Sequence, residues 1–197
     1  MPAQPDNLRA GVVERFSETA LTPERMKVFP LGPENAKSLG YDPEEIDGLP
    51  ASAAESFCGV GNPLGLGQLQ AGQTVLDLGS GAGLDSILAA RRVGPGGKVV
   101  GVDMTEPMIA KARHNAKALK LQNVEFLQTN VDSLPFDDES VDVATSNGVF
   151  NLCPDKPRAL AEMQRVLKPG GRILIGDIVV QKPVPEAARG NIDLWTG

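Results

Sequence analysis

The stretch Val75-Leu-Asp-Leu-Gly-Ser-Gly-Ala-Gly-Leu84 decides the fold, together with a second apolar stretch, Val99-Val-Gly-Val-Asp103, which ends on an acid. The first begins as an aliphatic strand and continues into a turn with glycines at alternate positions. Glycine suits such a turn because a Cβ would obstruct both the tight backbone path and the close approach of a ligand. At the tip of the second strand, the Asp103 carboxylate can accept two hydrogen bonds from a ribose diol. The two stretches therefore predict a nucleotide-binding βαβ unit.

The spacing of the glycines distinguishes between two kinds of nucleotide site. Gly79, Gly81 and Gly83 follow the pattern G-x-G-x-G. The dinucleotide fingerprint G-x-G-x-x-G has its third glycine one residue later, where this chain has Leu84. With Asp77 two residues before the first glycine, the turn resembles the first motif of class I S-adenosylmethionine-dependent methyltransferases.

This resemblance implies a set of cofactor-binding residues. Asp77 would lie near the amino-acid end of S-adenosylmethionine, the glycine turn would lie under the cofactor, and Asp103 would hold the ribose. Ser80, within the turn, and Met104, after Asp103, belong to the same predicted site. For Asp77 a structural alternative stays open, because a carboxylate at this position can also cap a helix or brace the turn.

A later segment, Asn130-Val-Asp-Ser-Leu-Pro-Phe136, resembles the part of the family that frames adenine. The resemblance implies that Val131 supplies a backbone N–H group and that Asp132 lies near the edge of the ring. Asn130 stands where the family commonly has an aspartate. The contact to the exocyclic amine of adenine therefore differs from the family pattern.

Two further segments extend the resemblance to about residues 70–180. Val141–Asn147 resembles the fourth strand of the family, and its tip, with Asn147, would lie beside the transferable methyl group. Val166–Ile173 completes the set. Four motifs in the same order and spacing are far more specific than one glycine turn.

Regular alternation of strands and helices begins at residue 66. The strand candidates are rich in Val, Ile and Leu, as buried parallel strands are, and span 74–78, 98–103, 123–128, 141–146 and 171–179. Lys168–Gly171 is expected to be a turn between the last helix and the fifth strand. The predicted fold is α/β, with the doubly wound, mostly parallel, Rossmann-like sheet of class I methyltransferases.

The chain divides into three predicted regions. Residues 1–65 contain eight prolines and are expected to form an N-terminal arm or lid that contacts the rest sparsely, with short helices at 8–20, 33–39 and 43–47. Residues 66–180 form the predicted S-adenosylmethionine-binding domain. Residues 181–197 are expected to be the remnant of a truncated C-terminus, because the family fold has two more strands after the fifth.

The amino-acid composition limits the classes of partner that this chain is expected to bind. The chain has 19 basic and 25 acidic residues and only 4% aromatic residues, which disfavours nucleic acid and favours a small-molecule substrate. No apolar run reaches the length of a membrane span, and the N-terminus lacks the features of a signal peptide. We therefore expect a cytoplasmic protein with two free thiols, Cys58 and Cys153, and no metal site. The sequence does not predict an oligomeric state.

Several segments point to a more specific resemblance, to the arsenite methyltransferases and their close relatives. They are Leu39–Pro43, Gly59–Pro63, Ala89–Pro95, Gly101–Thr105 and Asn151–Lys156. In that family, cysteine thiolates from the arm, from just after the fourth strand and from beyond the fifth strand hold trivalent arsenic. Soft thiolates suit a soft metalloid.

The cysteines of this chain depart from that pattern. The family's cysteine after the fourth strand follows a Ser-Asn pair, and this chain has Gly148 there. Cys153 lies five residues later, and Cys58 lies slightly upstream of the arm position. We predict these two as the catalytic thiols, while the alternative that both are ordinary buried cysteines stays open.

The predicted reaction is transfer of a methyl group from S-adenosylmethionine to a small acceptor, with S-adenosylhomocysteine as the product. Trivalent arsenic is the first candidate acceptor. A quinol or phenol is an alternative acceptor, and a non-catalytic S-adenosylmethionine-binding module is an alternative from another class.

Overall fold

Five aliphatic stretches form one sheet in the computed structural model, which describes residues 5–27, 29–183, 191 and 195. The strands lie in the order β3-β2-β1-β4-β5, and every neighbouring pair is parallel. This arrangement confirms the predicted doubly wound α/β fold. The strands are β1 (Thr74–Leu78), β2 (Lys98–Asp103), β3 (Val124–Gln128), β4 (Val141–Asn147) and β5 (Leu167–Gly176).

Helices precede the sheet and connect its strands. The N-terminal ones are α1 (Pro5–Leu21), α2 (Gly32–Ser38), α3 (Pro43–Asp47) and α4 (Ala51–Ala54). The later ones are α5 (Leu84–Val93), α6 (Glu106–Ala118) and α7 (Lys156–Val166). Short 3-10 helices span Pro23–Arg25, Pro63–Gly65 and Phe150–Leu152. The predicted helix at 43–47 is confirmed as α3, and Asp42 caps it by accepting a hydrogen bond from the backbone N–H of Glu44.

The sheet is covered on both faces because successive side chains of a strand point in opposite directions. Val75 of β1 packs in one hydrophobic cluster with α5 and the segment of α2 to α4. Its neighbour Leu76 packs in a second cluster with Met163 of α7. Both β1 residues are fully buried. Apolar side chains on both sides explain why the strands show continuous aliphatic runs.

The N-terminal region packs more closely than the sequence predicted. Tyr41, Ile46 and Phe57 are buried in the same cluster as Ile87 of α5. The expectation of sparse contact is wrong for this part of the arm, because its scattered apolar residues cover one face of α5 and of the sheet. The division into an arm at 1–65 and a domain at 66–180 stays a prediction.

The fifth strand starts earlier and ends earlier than predicted. Leu167 pairs with Val141, and Arg172 pairs with Val143, so the residues between them form an irregularity within β5 instead of a preceding turn. In the predicted C-terminal remnant, 184–190, 192–194 and 196–197 lie outside the described residues. In the described part of the chain, no helix has the length and apolar character needed to cross a membrane.

Candidate active site

A cavity lies at the carboxyl ends of β1, β2 and β4, where the strand order reverses direction. Ligands bind open α/β sheets at such switch points. The cavity wall includes nine of the twelve predicted site residues: Cys58, Gly79, Gly81, Asp103, Met104, Val131, Asp132, Asn147 and Cys153. Further lining comes from α1, through Arg9, Val12 and Phe16.

The glycine turn has a backbone that a side chain would disturb. Gly79 has a φ of +68°, and a Cβ there would collide with Val149, which follows β4. Gly81 has a φ of +53°, and a Cβ there would meet only Met108 Sδ, at 4.0 Å. The turn therefore brings bare backbone to the cavity, as the sequence predicted from its glycines.

Asp103 is half-buried at the tip of β2, and its carboxylate is held by two backbone donors. The N–H of Gly81 donates to Oδ2 at 3.0 Å, and the N–H of Thr105 donates to Oδ1 at 2.8 Å. Burial raises the pKa of this carboxyl, while the two N–H bonds oppose that shift. Each carboxylate oxygen keeps a further lone pair for a hydroxyl donor.

Asp77 lies beneath the cavity and does not line it. Its carboxylate is 2% exposed and accepts hydrogen bonds from the hydroxyls of Ser86, at 2.5 Å, and Thr145, at 3.1 Å. Burial, followed by repulsion from Asp85, raises the pKa of Asp77 to about 7. This geometry matches the alternative in which Asp77 braces the turn, because its carboxylate joins β1 to Ser86 of α5 and to Thr145 of β4.

Two other predicted cofactor residues, Ser80 and Gly83, are part of the turn itself. Ser80 is buried, and its backbone N–H donates to the carbonyl of Val102 at 2.9 Å. A Cβ on Gly83, whose φ is +92°, would press against the ring of Phe126. Neither residue lines the cavity. Their contacts shape the turn from below.

The loop after β3 forms the wall opposite the glycine turn. Val131 is 7% exposed and packs in the cluster that contains α7. Asp132 accepts a hydrogen bond from Arg9 of α1 at 2.7 Å. This ion pair joins the N-terminal helix to the predicted adenine segment. Arg9 was not predictable as a site residue, because nothing in a helical pattern of apolar residues marks a distant acidic partner.

The amide of Asn147, at the tip of β4, is occupied by other parts of the protein. Its Oδ1 accepts from the N–H groups of Val60, at 2.9 Å, and Gly61, at 3.1 Å. Its Nδ2 lies within hydrogen-bond distance of the Gly61 carbonyl, the Tyr41 hydroxyl and the Asp85 carboxylate. Asn147 lines the cavity, yet its side chain fastens the N-terminal region to the sheet.

Cys58 and Cys153 line this same cavity from opposite parts of the chain. Cys153 is 7% exposed, and its thiol donates weakly to the Val149 carbonyl at 3.4 Å. Burial raises the pKa of Cys58 to about 12 and that of Cys153 to about 11. Asp103 adds to the shift at Cys58. Both groups are therefore protonated thiols near neutral pH.

The lining fits a nucleoside. Asp103 and Asp132 provide carboxylates for hydroxyl and amine donors, and bare backbone at Gly81 leaves room for close approach. Apolar side chains of Met104 and Val149 complete the wall. Such a site combines a few polar anchors with a mostly apolar surface.

Comparison with known proteins identifies what the chain resembles. The sequence profile of a family described as "Methyltransferase domain" matches residues 69–195. An arsenite methyltransferase of Halobacterium salinarum is 46% identical over 162 residues, which are 82% of this chain and 41% of that protein. The ubiquinone/menaquinone biosynthesis C-methyltransferase UbiE of Escherichia coli is 40% identical over 126 residues, 64% of this chain and 49% of that enzyme.

A solved structure is similar to this chain in both sequence and fold. The arsenic(III) S-adenosylmethionine methyltransferase of Chlamydomonas reinhardtii is 34% identical and superimposes with a TM-score of 0.62, over 81% of this chain and 53% of that one. This chain spans about two fifths to one half of the length of these relatives.

Proposed function

Because this chain belongs to the methyltransferase domain family, we propose that its cavity binds S-adenosylmethionine and that the bound methyl group is transferred to a small-molecule acceptor. The observation that carries the proposal is the meeting of Asp103, Cys58 and Cys153 in one cavity at the switch point of the sheet. A candidate nucleoside anchor and two candidate acceptor ligands therefore line the same cavity.

The cofactor would supply an electrophilic sulfonium methyl group. Asp103 would accept hydrogen bonds from the ribose, and Asp132, with the Val131 backbone, would contact the adenine edge. Asp77, Ser80 and Gly83 would act from below by fixing the turn, since they do not line the cavity. A mostly apolar wall favours the transfer because it limits water around the reacting atoms and aligns the reactants.

The proposed acceptor is trivalent arsenic bound by Cys58 and Cys153. Each thiol would replace one hydroxyl of arsenous acid, forming an As–S bond and releasing one water that carries away the thiol proton. The arsenic lone pair would then form an As–C bond while the bond between the methyl carbon and the sulfonium sulfur breaks, and S-adenosylhomocysteine would leave as a neutral thioether. Arsenic would pass from As(III) to As(V) in this step, and its remaining hydroxyl would lose its proton to water, so that no general base is needed for the transfer itself. A reducing, cytoplasmic setting would keep both thiols free, which is how they occur in the structure.

A quinol or phenol is the second candidate acceptor. The similarity to the C-methyltransferase UbiE favours it, as do the raised thiol pKa values, which disfavour thiolate ligands. In that case Cys58 and Cys153 would be ordinary wall residues of an apolar acceptor pocket. A binding module without turnover is the third outcome.

The test is a transfer assay with methyl-labelled S-adenosylmethionine. Arsenite with a small thiol, a quinol and a catechol are offered separately, and labelled products are separated by chromatography. We expect label on arsenic only. Label on the quinol or catechol would select the second candidate, and calorimetric binding of the cofactor without any labelled product would indicate a binding module.

A further inference from the structure

A buried hydrogen-bond cluster joins the N-terminal region to the sheet next to the cavity. Its members are Tyr41, Asp85 of α5 and Asn147 of β4, which we call the switch-point lock. The Tyr41 hydroxyl donates to Asp85 Oδ1 at 2.5 Å and accepts from Asn147 Nδ2 at 3.1 Å. Asn147 Nδ2 also lies 3.2 Å from Asp85 Oδ2. Tyr41 and Asp85 do not line the cavity.

The lock holds the backbone on the C-terminal side of Cys58. Asn147 receives hydrogen bonds from the N–H groups of Val60 and Gly61 and reaches the Gly61 carbonyl at 2.9 Å. A Cβ on Gly59 would collide with the Asn147 amide. The segment Gly59–Gly61 therefore lies directly against the Asn147 side chain and is hydrogen-bonded to it.

The residue on the N-terminal side of Cys58 contacts the same cluster through its ring. The ring of Phe57 packs edge-to-face on the Tyr41 ring, with the centroids 5.4 Å apart. The Phe57 carbonyl accepts from the Gly32 N–H at 2.9 Å. Cys58 thus lies between two residues that both contact the lock.

The three side chains of the lock depend on one another for their hydrogen-bond partners. Asp85 is a buried carboxylate, which is costly to bury unless it is hydrogen-bonded. Tyr41 and Asn147 supply its donors. Removing the Tyr41 hydroxyl would therefore leave Asp85 short of a donor and disturb Asn147 together with the segment that it holds.

From these contacts we propose that Tyr41, Asp85 and Asn147 are positioning residues that hold the Cys58 thiol in the cavity wall. Their importance for catalysis rests on the proposed function, whereas their effect on the position of Cys58 does not. The lock also gives a reason for an asparagine at the tip of β4. The Asn147 amide is occupied by protein groups because it is part of the lock.

The experiment measures alkylation of each cysteine by iodoacetamide, with peptide mass spectrometry to separate Cys58 from Cys153. In Tyr41→Phe and Asn147→Ala, Cys58 should react roughly tenfold faster than in the unaltered chain, because losing a hydrogen bond to a charged or backbone group eases local opening by about that factor. The rate at Cys153 should stay unchanged. Ser52→Ala is the matched control, since it removes the hydrogen bond of α4 to Asn115 outside the lock.

An unchanged Cys58 rate in both folded lock variants would overturn the proposal. Equal acceleration at both cysteines would overturn it too, because that result signals general loosening. The methyl-transfer assay is run in parallel on the unaltered chain. Its failure would refute the proposed function alone, while the alkylation rates would still decide whether the lock positions Cys58.

Discussion

Arg9 and Asp132 form an ion pair of 2.7 Å across the cavity, although 123 positions separate them in the sequence. Their side chains are 33% and 15% exposed, so solvent screens the pair in part. The contact fastens α1 to the loop that follows β3. An ion pair of this kind is weak enough to open, so the prediction that α1 acts as a lid can be tested at this contact.

We predict that Arg9→Ala loosens α1 selectively. Amides of residues 5–21 should exchange with deuterium severalfold faster, because a partly exposed ion pair contributes about 0.5–1 kcal/mol to local closure. Amides of β1 should be unaffected. Addition of S-adenosylmethionine to the unaltered chain should slow exchange in residues 5–21.

Arg25→Ala is the control for that experiment, because Arg25 is an exposed residue of the same region. It should leave exchange in α1 unchanged. Equal exchange in α1 with and without the cofactor would mean that this helix is a fixed flank and not a lid.

We predict that Asp103→Ala weakens binding of S-adenosylmethionine by roughly 1.5–3 kcal/mol, as expected for lost hydrogen bonds to a charged acceptor. Calorimetry gives the affinity directly. Asp137→Ala, in the exposed loop before β4, is the control and should bind normally. Unchanged affinity in Asp103→Ala, or a preference for NAD in the same titration, would contradict the assignment of this residue to the ribose.

The sheet and the glycine turn were predictable because their signals are local. Continuous aliphatic runs mark β1 and β2, and the left-handed backbone of Gly79 and Gly81 needs glycine whatever the rest of the chain does. Asp103 follows from its place at a strand tip. Each of these features depends on a few consecutive residues, so the sequence alone was sufficient.

The contacts between distant segments were not predictable in this way. Tyr41 meets Asp85 across 44 positions and Asn147 across 106, and no local pattern marks such partners. Asp77 is a second case in which the sequence alone was not sufficient. Its motif indicates a cofactor contact, but the hydroxyls of Ser86 and Thr145 enclose its carboxylate below the cavity. Only packing distinguishes these two roles.

Asp77 should also give stability a characteristic pH dependence. Burial raises its pKa from 3.8 in an ordinary setting to about 7, so the folded state holds a proton that the unfolded state releases. The free energy of unfolding should therefore decrease as pH rises from about 4 to about 7, and this contribution should level off above that range. Asp77→Asn should remove it.

The measurement is urea denaturation of both chains between pH 4 and pH 8. The difference between them reports the titration of Asp77 together with its repulsion of Asp85, since the other carboxyls titrate in both chains. Glu162, for example, has its pKa lowered to about 2 by Arg165 and favours the folded state at higher pH. A pH-independent difference between the two chains would show that Asp77 is ionised throughout this range.

The two thiols provide the sharpest test of the acceptor. If arsenic binds to both sulfur atoms, Cys58→Ser and Cys153→Ser should each abolish arsenite-dependent methyl transfer, because a serine hydroxyl is a hard ligand that binds arsenic poorly. Cofactor affinity, measured by calorimetry, should stay unchanged in both variants, since Asp103 and the glycine turn are unaltered. Arsenite capture should accelerate from pH 6 to pH 8, because the thiolate fraction rises with pH below the raised pKa values. Full arsenite-dependent activity in either variant would remove that thiol from the mechanism and favour an apolar acceptor pocket.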